Sequence, residues 1–403
     1  MDDAHDAVRL LRAPSTIRER AALVFAHIAQ GRSSHFVFDE RRLDGAVDLV
    51  IDTTRAAYPT LDVPYHSRWR HFEAGHDRWG PLARSLADPL ERGRVGFDLV
   101  IPSVLLDAGA GMDWRYTESG GAVYARSEGL AVATFRMFEG GVFSADAGAP
   151  WRADGVKLAM LEEAALARAF QVDARNPLAG LAGRAALMRR LGGAVLARPE
   201  IFGGRLGGLF DHLRAKAREG RLPARAILAA VLDLFSMIWP GRLTLAGENL
   251  GDVWRHPAAR GPGASDGFVP FHKLSQWLAY SLVEPLEWAG ITVDGLDDLT
   301  GLPEYRNGGL FLDAGVLALK NPAAAQATHA VSSELVIEWR AATVALLDEV
   351  AVRMRARLGL DAAAFPLAKV LQGGTWAAGR ALAARARAGG VPPLRVDSDG
   401  TVF

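Results

Sequence analysis

The sequence predicts a mainly α protein with a small antiparallel β element, an α+β class. Three observations carry this. Ala-, Leu- and Arg-rich runs with apolar residues at helical spacing fill most of the chain after residue 154. Runs of β type are confined to 114–153 and are punctuated by Gly120-Gly121, Gly129 and Gly140-Gly141. No period of 20–50 residues recurs, which excludes a solenoid.

Taken in order, Pro14-Ser15-Thr16 followed by Glu19 reads as a helix start, with the helix running through Ile28 and stopping at Gly31. Val47, Val50, Ile51 and Thr54 recur at helical spacing, so a helix is expected over 43–58, ended by Pro59. The segment 63–73 has no clean period and is dense in aromatic and basic groups, which reads as a binding loop. A helix–turn–helix is expected over 88–106. Two or three antiparallel strands are expected over 114–151, including Leu130–Phe138. Further helices are expected near 157–170, 180–197, 205–219, 223–238, 271–288, 309–319 and 333–358. The last ten residues read as a short hairpin. This gives one unit over 1–403, with sub-regions 1–113 (mixed and helical), 114–153 (β-rich) and 154–403 (helical body).

Composition narrows the function classes. The chain has 403 residues, 50% of them apolar and 23% charged, in the range of a globular protein. With 46 basic and 46 acidic residues the net charge is zero, so no basic excess points to nucleic acid or to an anionic membrane. The chain has no cysteine, which excludes disulfides, thiolate metal sites and cysteine nucleophiles. No apolar run is long enough to span a bilayer, and the acidic first residues do not form a secretory signal. A cytoplasmic location is the expectation, with a homo-oligomer left open.

Chemistry-bearing residues concentrate between Phe268 and Leu317, where Lys273, Gln276, Glu304, Tyr305, Arg306 and Asp313 alternate with core-type residues. Charged groups set among apolar ones tend to line an enclosed site. Glu304 precedes a helix together with Arg306 and Gly308-Gly309; the pattern fits a base or an electrostatic stabiliser, and it also fits a helix cap. Arg306 could hold a carboxylate or phosphate. A lysine in the first turn of a helix, as at Lys273, opposes the dipole. Arg68, Arg70 and His71, with Trp69 between them, read as anion contacts or as partners of Glu73 or Asp77. His66, His71 and His76 are five residues apart, which does not suit ligands on one helix face, so no metal and no cofactor are expected. Gly263-Ala264-Ser265-Asp266-Gly267 matches a nucleophile elbow, but its flanks are wrong for the required strand and helix. Gln372-Gly373-Gly374-Thr375 is too short for a phosphate loop. Asp397-Ser398-Asp399-Gly400 reads as a turn, not a calcium loop.

Pro270–Trp277, Leu299–Gly309, His66–Phe72 and the closing Ser398–Phe403 resemble the uracil catabolism protein four family, across essentially the whole chain. That resemblance implies a place in uracil degradation that opens the pyrimidine ring on a ribosyl scaffold and releases urea. Members are often labelled uracil phosphoribosyltransferases, but no strand with two adjacent acids and a small-residue loop is read here. The order Lys273-Leu274-Ser275-Gln276, then Leu299-Thr300-Gly301-Leu302-Pro303-Glu304-Tyr305-Arg306, is similar to the queuosine salvage N-glycosylases. Those helical proteins are related to DNA glycosylases and carry an acid at the glycosidic site. This second resemblance implies a helical glycosylase-like core. It also implies an enzyme hydrolysing the ribosyl–nitrogen bond of a ribosylurea-type small molecule, with or without a 5′-phosphate. Glu304 and Asp313 are then the catalytic candidates. Lys273, Arg306, Tyr305, Gln276, Arg68, His71 and Trp69 are candidate substrate contacts. The alternatives are a phosphoribosyl transfer to uracil and a non-catalytic metabolite- or partner-binding role.

Overall fold

The computed structural model describes residues 3–397. Helices dominate, and among the described residues the strands form six two-stranded ladders, four antiparallel and two parallel. The backbone divides into two compact units with interleaved segments. One comprises 3–66, Gly241–Gln276 and Gly295–Asp397; the other takes in Ser67–Pro240 and Trp277–Asp294.

In the first unit the Glu334–Leu358 helix packs along Pro14–Ala29. Ser333 caps its N-terminus by accepting from the Val336 amide, and Gly359 ends it at φ 68°. From Leu335 to Val344 every residue is buried, so this part of the helix is core on all sides. The Tyr305–Asp313 helix lies against Trp376–Ala386. Any Cβ at Gly379 would overlap the Arg306 carbonyl, so only glycine allows the two backbones to come this close. Phe36–Phe38 pairs with Leu317–Leu319, and Val253–Arg255 pairs with Phe268–Pro270. Arg395–Asp397 pairs in parallel with Thr328–Ala330. The remainder of the expected hairpin, 398–403, lies outside the described residues.

In the second unit the Pro89–Leu105 helix runs unbroken where a helix–turn–helix was expected. Asp88 caps it by accepting from the Leu90 amide, with Pro89 in the first turn. The reason it does not break is packing: the hydrogen of Gly93 faces the Phe210 ring, so that glycine serves close approach and not a turn.

The expectation of a β-rich 114–153 is corrected in part. Arg115–Thr117 and Val123–Ala125 do form an antiparallel hairpin. Leu130–Phe138, however, belongs to the Arg126–Glu139 helix. That helix is buried from Gly129 to Phe135, and an apolar run buried on all sides carries no period that distinguishes helix from strand. Near 309–319 the helix sits earlier than expected, at 305–313, and Leu317–Leu319 is a strand.

Candidate functional site

Of the sequence-predicted residues of the first unit, Lys273, Gln276, Glu304, Tyr305 and Arg306 lie in the first turns of two helices. Glu304 is the N-cap of Tyr305–Asp313. Its Oε2 accepts from the Arg306 amide and its Oε1 from the Asn307 amide, both at 2.7 Å. The residue is 8% exposed. Burial pushes its carboxyl above the usual glutamate range; the two amides, Lys273 and Arg306 act the other way. A carboxylate held on both oxygens cannot rotate, so its charge has a fixed position.

Lys273 opens the Lys273–Trp288 helix and is also buried. Its amide donates to Asp252 Oδ2 at 3.0 Å. Asp252 is gripped by both Nη atoms of Arg340 at 2.7 Å and by the Trp254 indole. Burial opposes ionisation of Asp252, but Arg340 and these donors outweigh it and hold the carboxyl well below its ordinary range. His272, just before Lys273, adopts φ 47°, a costly conformation for a non-glycine residue. Its Nε2 lies 3.0 Å from the Leu11 carbonyl. The turn that presents Lys273 is therefore fixed from several sides. Gln276, one helical turn on, donates to Thr300 Oγ1 at 2.9 Å and accepts from the Thr300 amide at 3.4 Å. This ties the lysine helix to the 299–304 segment that leads into Glu304.

The structure adds residues the sequence reading left out. Leu371–Thr375 is a π-helical turn between two α-helical stretches, a geometry frequent at functional sites. It presents Gln372, whose Oε1 lies 2.9 Å from His66 Nδ1. Trp376 follows, its ring 6.1 Å from that of His66 and 5.4 Å from the Arg380 guanidinium. Burial drives the His66 pKa down to about 4; Gln372 opposes this and Lys273 adds to it. His66 is therefore neutral at pH 7. The Lys273 charge acts on both His66 and Glu304, which puts the three groups in one electrostatic neighbourhood.

Two candidates are engaged structurally. Asp313 ends the same helix that Glu304 begins, about 13 Å away at 1.5 Å per residue. Both its oxygens are held by Arg387, at 2.7 and 2.6 Å. Arg306 Nη1 donates to the Gly390 carbonyl at 3.0 Å, and its guanidinium stacks on the Tyr305 ring at 4.8 Å.

Arg68, Trp69 and His71 belong to the second unit. Trp69 is core: its indole donates to the Ser281 carbonyl and its ring packs on Phe72, Trp79 and Trp288. The segment read as a binding loop is largely buried, with a helical turn at Trp69–Phe72. Arg68 and His71 meet Ser127 and Asp107 in a buried polar cluster.

His256, Glu334 and Glu338 lie close enough together to hold a metal ion. The donor set argues against one: His256 Nδ1 accepts from the Ala258 amide at 3.1 Å, so a neutral ring carries its proton on Nε2, the atom that faces Glu338 at 3.4 Å. Ser265 of the Gly-x-Ser-x-Gly match is buried, donating to the Pro262 carbonyl and accepting from Arg20, with no nucleophile elbow around it. No helix of the described residues is long and apolar enough to cross a membrane.

This geometry sits in a chain whose residues 10–403 match the family described as "Protein of unknown function (DUF1688)". The chain belongs to that family. Curated relatives of this DUF1688 chain align end to end. Uracil catabolism protein 4 of Lachancea kluyveri is 36% identical, covering 98% of this chain and 99% of the relative. Protein urg3 of Schizosaccharomyces pombe is 37% identical, covering 99% of each.

Proposed function

We propose that this chain acts in pyrimidine catabolism and hydrolyses the bond between a ribosyl C1′ and the nitrogen of a ribosylurea-type substrate, with or without a 5′-phosphate. The name of the Lachancea relative supports the coarser half of this reading. One observation carries the finer half: a buried carboxylate, Glu304, is locked by two backbone amides in reach of the Lys273 charge.

The chemistry needs three things. As the C1′–N bond breaks, its electron pair leaves with nitrogen and positive charge builds on C1′ and the ring oxygen. Glu304, ionised and unable to turn away, stabilises that charge. The departing ureido group needs a hydrogen bond and then a proton, which the Lys273 ammonium supplies. Water adds its oxygen to C1′ and gives up a proton. With Gln372 Oε1 accepting from His66 Nδ1, the His66 ring carries its proton there and keeps a lone pair on Nε2 for the water proton. The products are urea and ribose, or its phosphate. Tyr305 and Trp376, both half-buried, offer ring faces for the sugar and ureido planes. Gln276 positions the 299–304 segment through Thr300. Asp313 is given a structural role in this reading, because Arg387 occupies it.

Product analysis by mass spectrometry tests the proposal. Purified protein is incubated with ribosylurea, with its 5′-phosphate, and separately with uracil, a phosphoribosyl pyrophosphate donor and magnesium. Urea with ribose or ribose phosphate is the expected result, lost in Glu304→Gln with substrate binding retained. Uridine monophosphate in the third mixture would establish phosphoribosyl transfer instead. Normal turnover by Glu304→Gln would remove Glu304 from the mechanism.

A further inference from the structure

The Arg126–Glu139 helix of the second unit begins without help from its own cap. Ala125 sits at the N-cap position and offers no side-chain acceptor, and Arg126 opens the helix at φ 53°. Against this end lies the guanidinium of Arg68, with no exposed surface. Nη1 donates to the Ser127 carbonyl at 3.1 Å and to Ser127 Oγ at 3.2 Å. The same atom lies 3.2 Å from His71 Nδ1 and 2.8 Å from Asp107 Oδ1. Nε donates to Ser103 Oγ at 2.8 Å. Nη2 is buried and has no hydrogen-bond partner.

Charge makes this arrangement unusual. A cation at a helix N-terminus faces the positive end of the dipole. A second buried guanidinium, Arg184, donates to the carbonyls of Leu106, Ala108 and Gly109. Burial pushes Arg184 down to about 10, and the Arg68 charge adds to that while Asp107 opposes it. Two buried guanidiniums therefore share one buried carboxylate, Asp107, whose oxygens both also lie 2.7 Å from Ser127 Oγ. Glu128 contributes negative charge from a half-buried position. Burying a guanidinium with a donor left unused is costly unless a ligand supplies the missing acceptor. The neighbouring stretch of chain is less enclosed, every residue from Tyr124 to Glu128 being only half-buried.

We propose that the second unit carries a small-oxyanion site, for a phosphate or carboxylate group, built on Arg68 and the first turn of the Arg126–Glu139 helix. Arg68 Nη2 is its principal donor, and Ser127 and His71 complete the polar wall. The indole of Trp277, 5.5 Å from the Arg68 guanidinium, closes the apolar side. The site stands apart from the hydrolysis reading, which uses none of these groups.

The test is calorimetric titration of the full chain with inorganic phosphate, with acetate and with ribose 5-phosphate, each against sodium chloride of equal ionic strength. Saturable binding of at least one oxyanion is expected, and the stronger of phosphate and acetate identifies the group. Arg68→Lys keeps the charge but loses the fork, and should weaken binding at least tenfold. Asp107→Asn removes the competing carboxylate, and should tighten binding severalfold. No saturable binding by any of the three would overturn the site. So would equal binding by Arg68→Lys. If Arg68→Lys does not fold, Asp107→Asn decides. Weaker binding by that variant, with phosphate failing to raise its melting temperature, would mean that Asp107 alone is the anion for which this pocket of charge exists.

Discussion

At the start of the Tyr305–Asp313 helix the chain places a carboxylate; at the start of the Arg126–Glu139 helix it places a guanidinium. Glu304 satisfies two amides and complements the dipole, so that end is electrostatically closed. Arg68 contributes donors to an end that already has donors in excess, and one of its nitrogens has no acceptor. Both groups are buried, so solvent cannot even out the difference. A terminus that supplies its own anion can offer fixed negative charge to a developing cation. A terminus that supplies a cation is arranged to receive an anion.

The comparison can be broken most forcefully from beneath the first terminus. Arg340→Ala leaves Asp252 buried without its guanidinium and should cost about 3–5 kcal/mol in denaturant unfolding. Because the Asp252 carboxyl is depressed in the folded state, its contribution is present above the unfolded value near 3.8 and is lost as pH falls below it. Glu304→Gln should lower turnover by roughly 10²–10³-fold, as loss of one preorganised electrostatic group does. In the wild type the acid limb of kcat/KM should lie above the ordinary glutamate value of 4.5, since burial raises Glu304 and the ionised form is needed.

His66 sharpens the picture in the same unit. Its pKa is lowered from 6.5 to about 4, so the unfolded chain binds its proton more readily than the folded one. Stability is full above pH 6.5 and should fall by about 3 kcal/mol on going to pH 4. His66→Gln should flatten that slope in unfolding curves recorded across the range. Smaller still, Glu304→Ala removes the cap and should cost about 1–2 kcal/mol, while Glu304→Gln, which keeps one acceptor, should cost less. At the second terminus Ser127→Ala loses no cap but takes a donor from buried Asp107, and should cost about 1 kcal/mol.

Much of the first terminus was legible in the sequence. Lys273, Gln276 and Glu304 stand close along the chain, and a short acid before a glycine-containing helix start is a local signal. His66 and Gln372 were not legible as a pair, being 306 residues apart with no pattern linking them. Gly373-Gly374 was visible, but was weighed only as a phosphate loop and set aside as too short, because glycines inside a helix look like a break until their packing is known. Arg68 and His71 were visible as a basic patch. What the sequence could not reveal is that Ser103 and Asp107, at the end of the Pro89–Leu105 helix, and Ser127, at the start of the Arg126–Glu139 helix, would bury that patch. The helical run 130–138 was misread because burial on every side erases the amphipathic period.

The π-helical turn at 371–375 has a consequence for chain length. Such a turn holds one residue more than an α-helix would use over the same rise. Its Gly374 lies where a Cβ would collide with Val50, so the surplus residue is accommodated by having no side chain. Removing one glycine here would give an ordinary helix, shorter by a residue, and would swing Gln372 by about 100° relative to Trp376. Gln372 would then leave His66, although neither residue had been altered. A deletion of this kind should silence the chain while leaving its helical signal in circular dichroism almost unchanged.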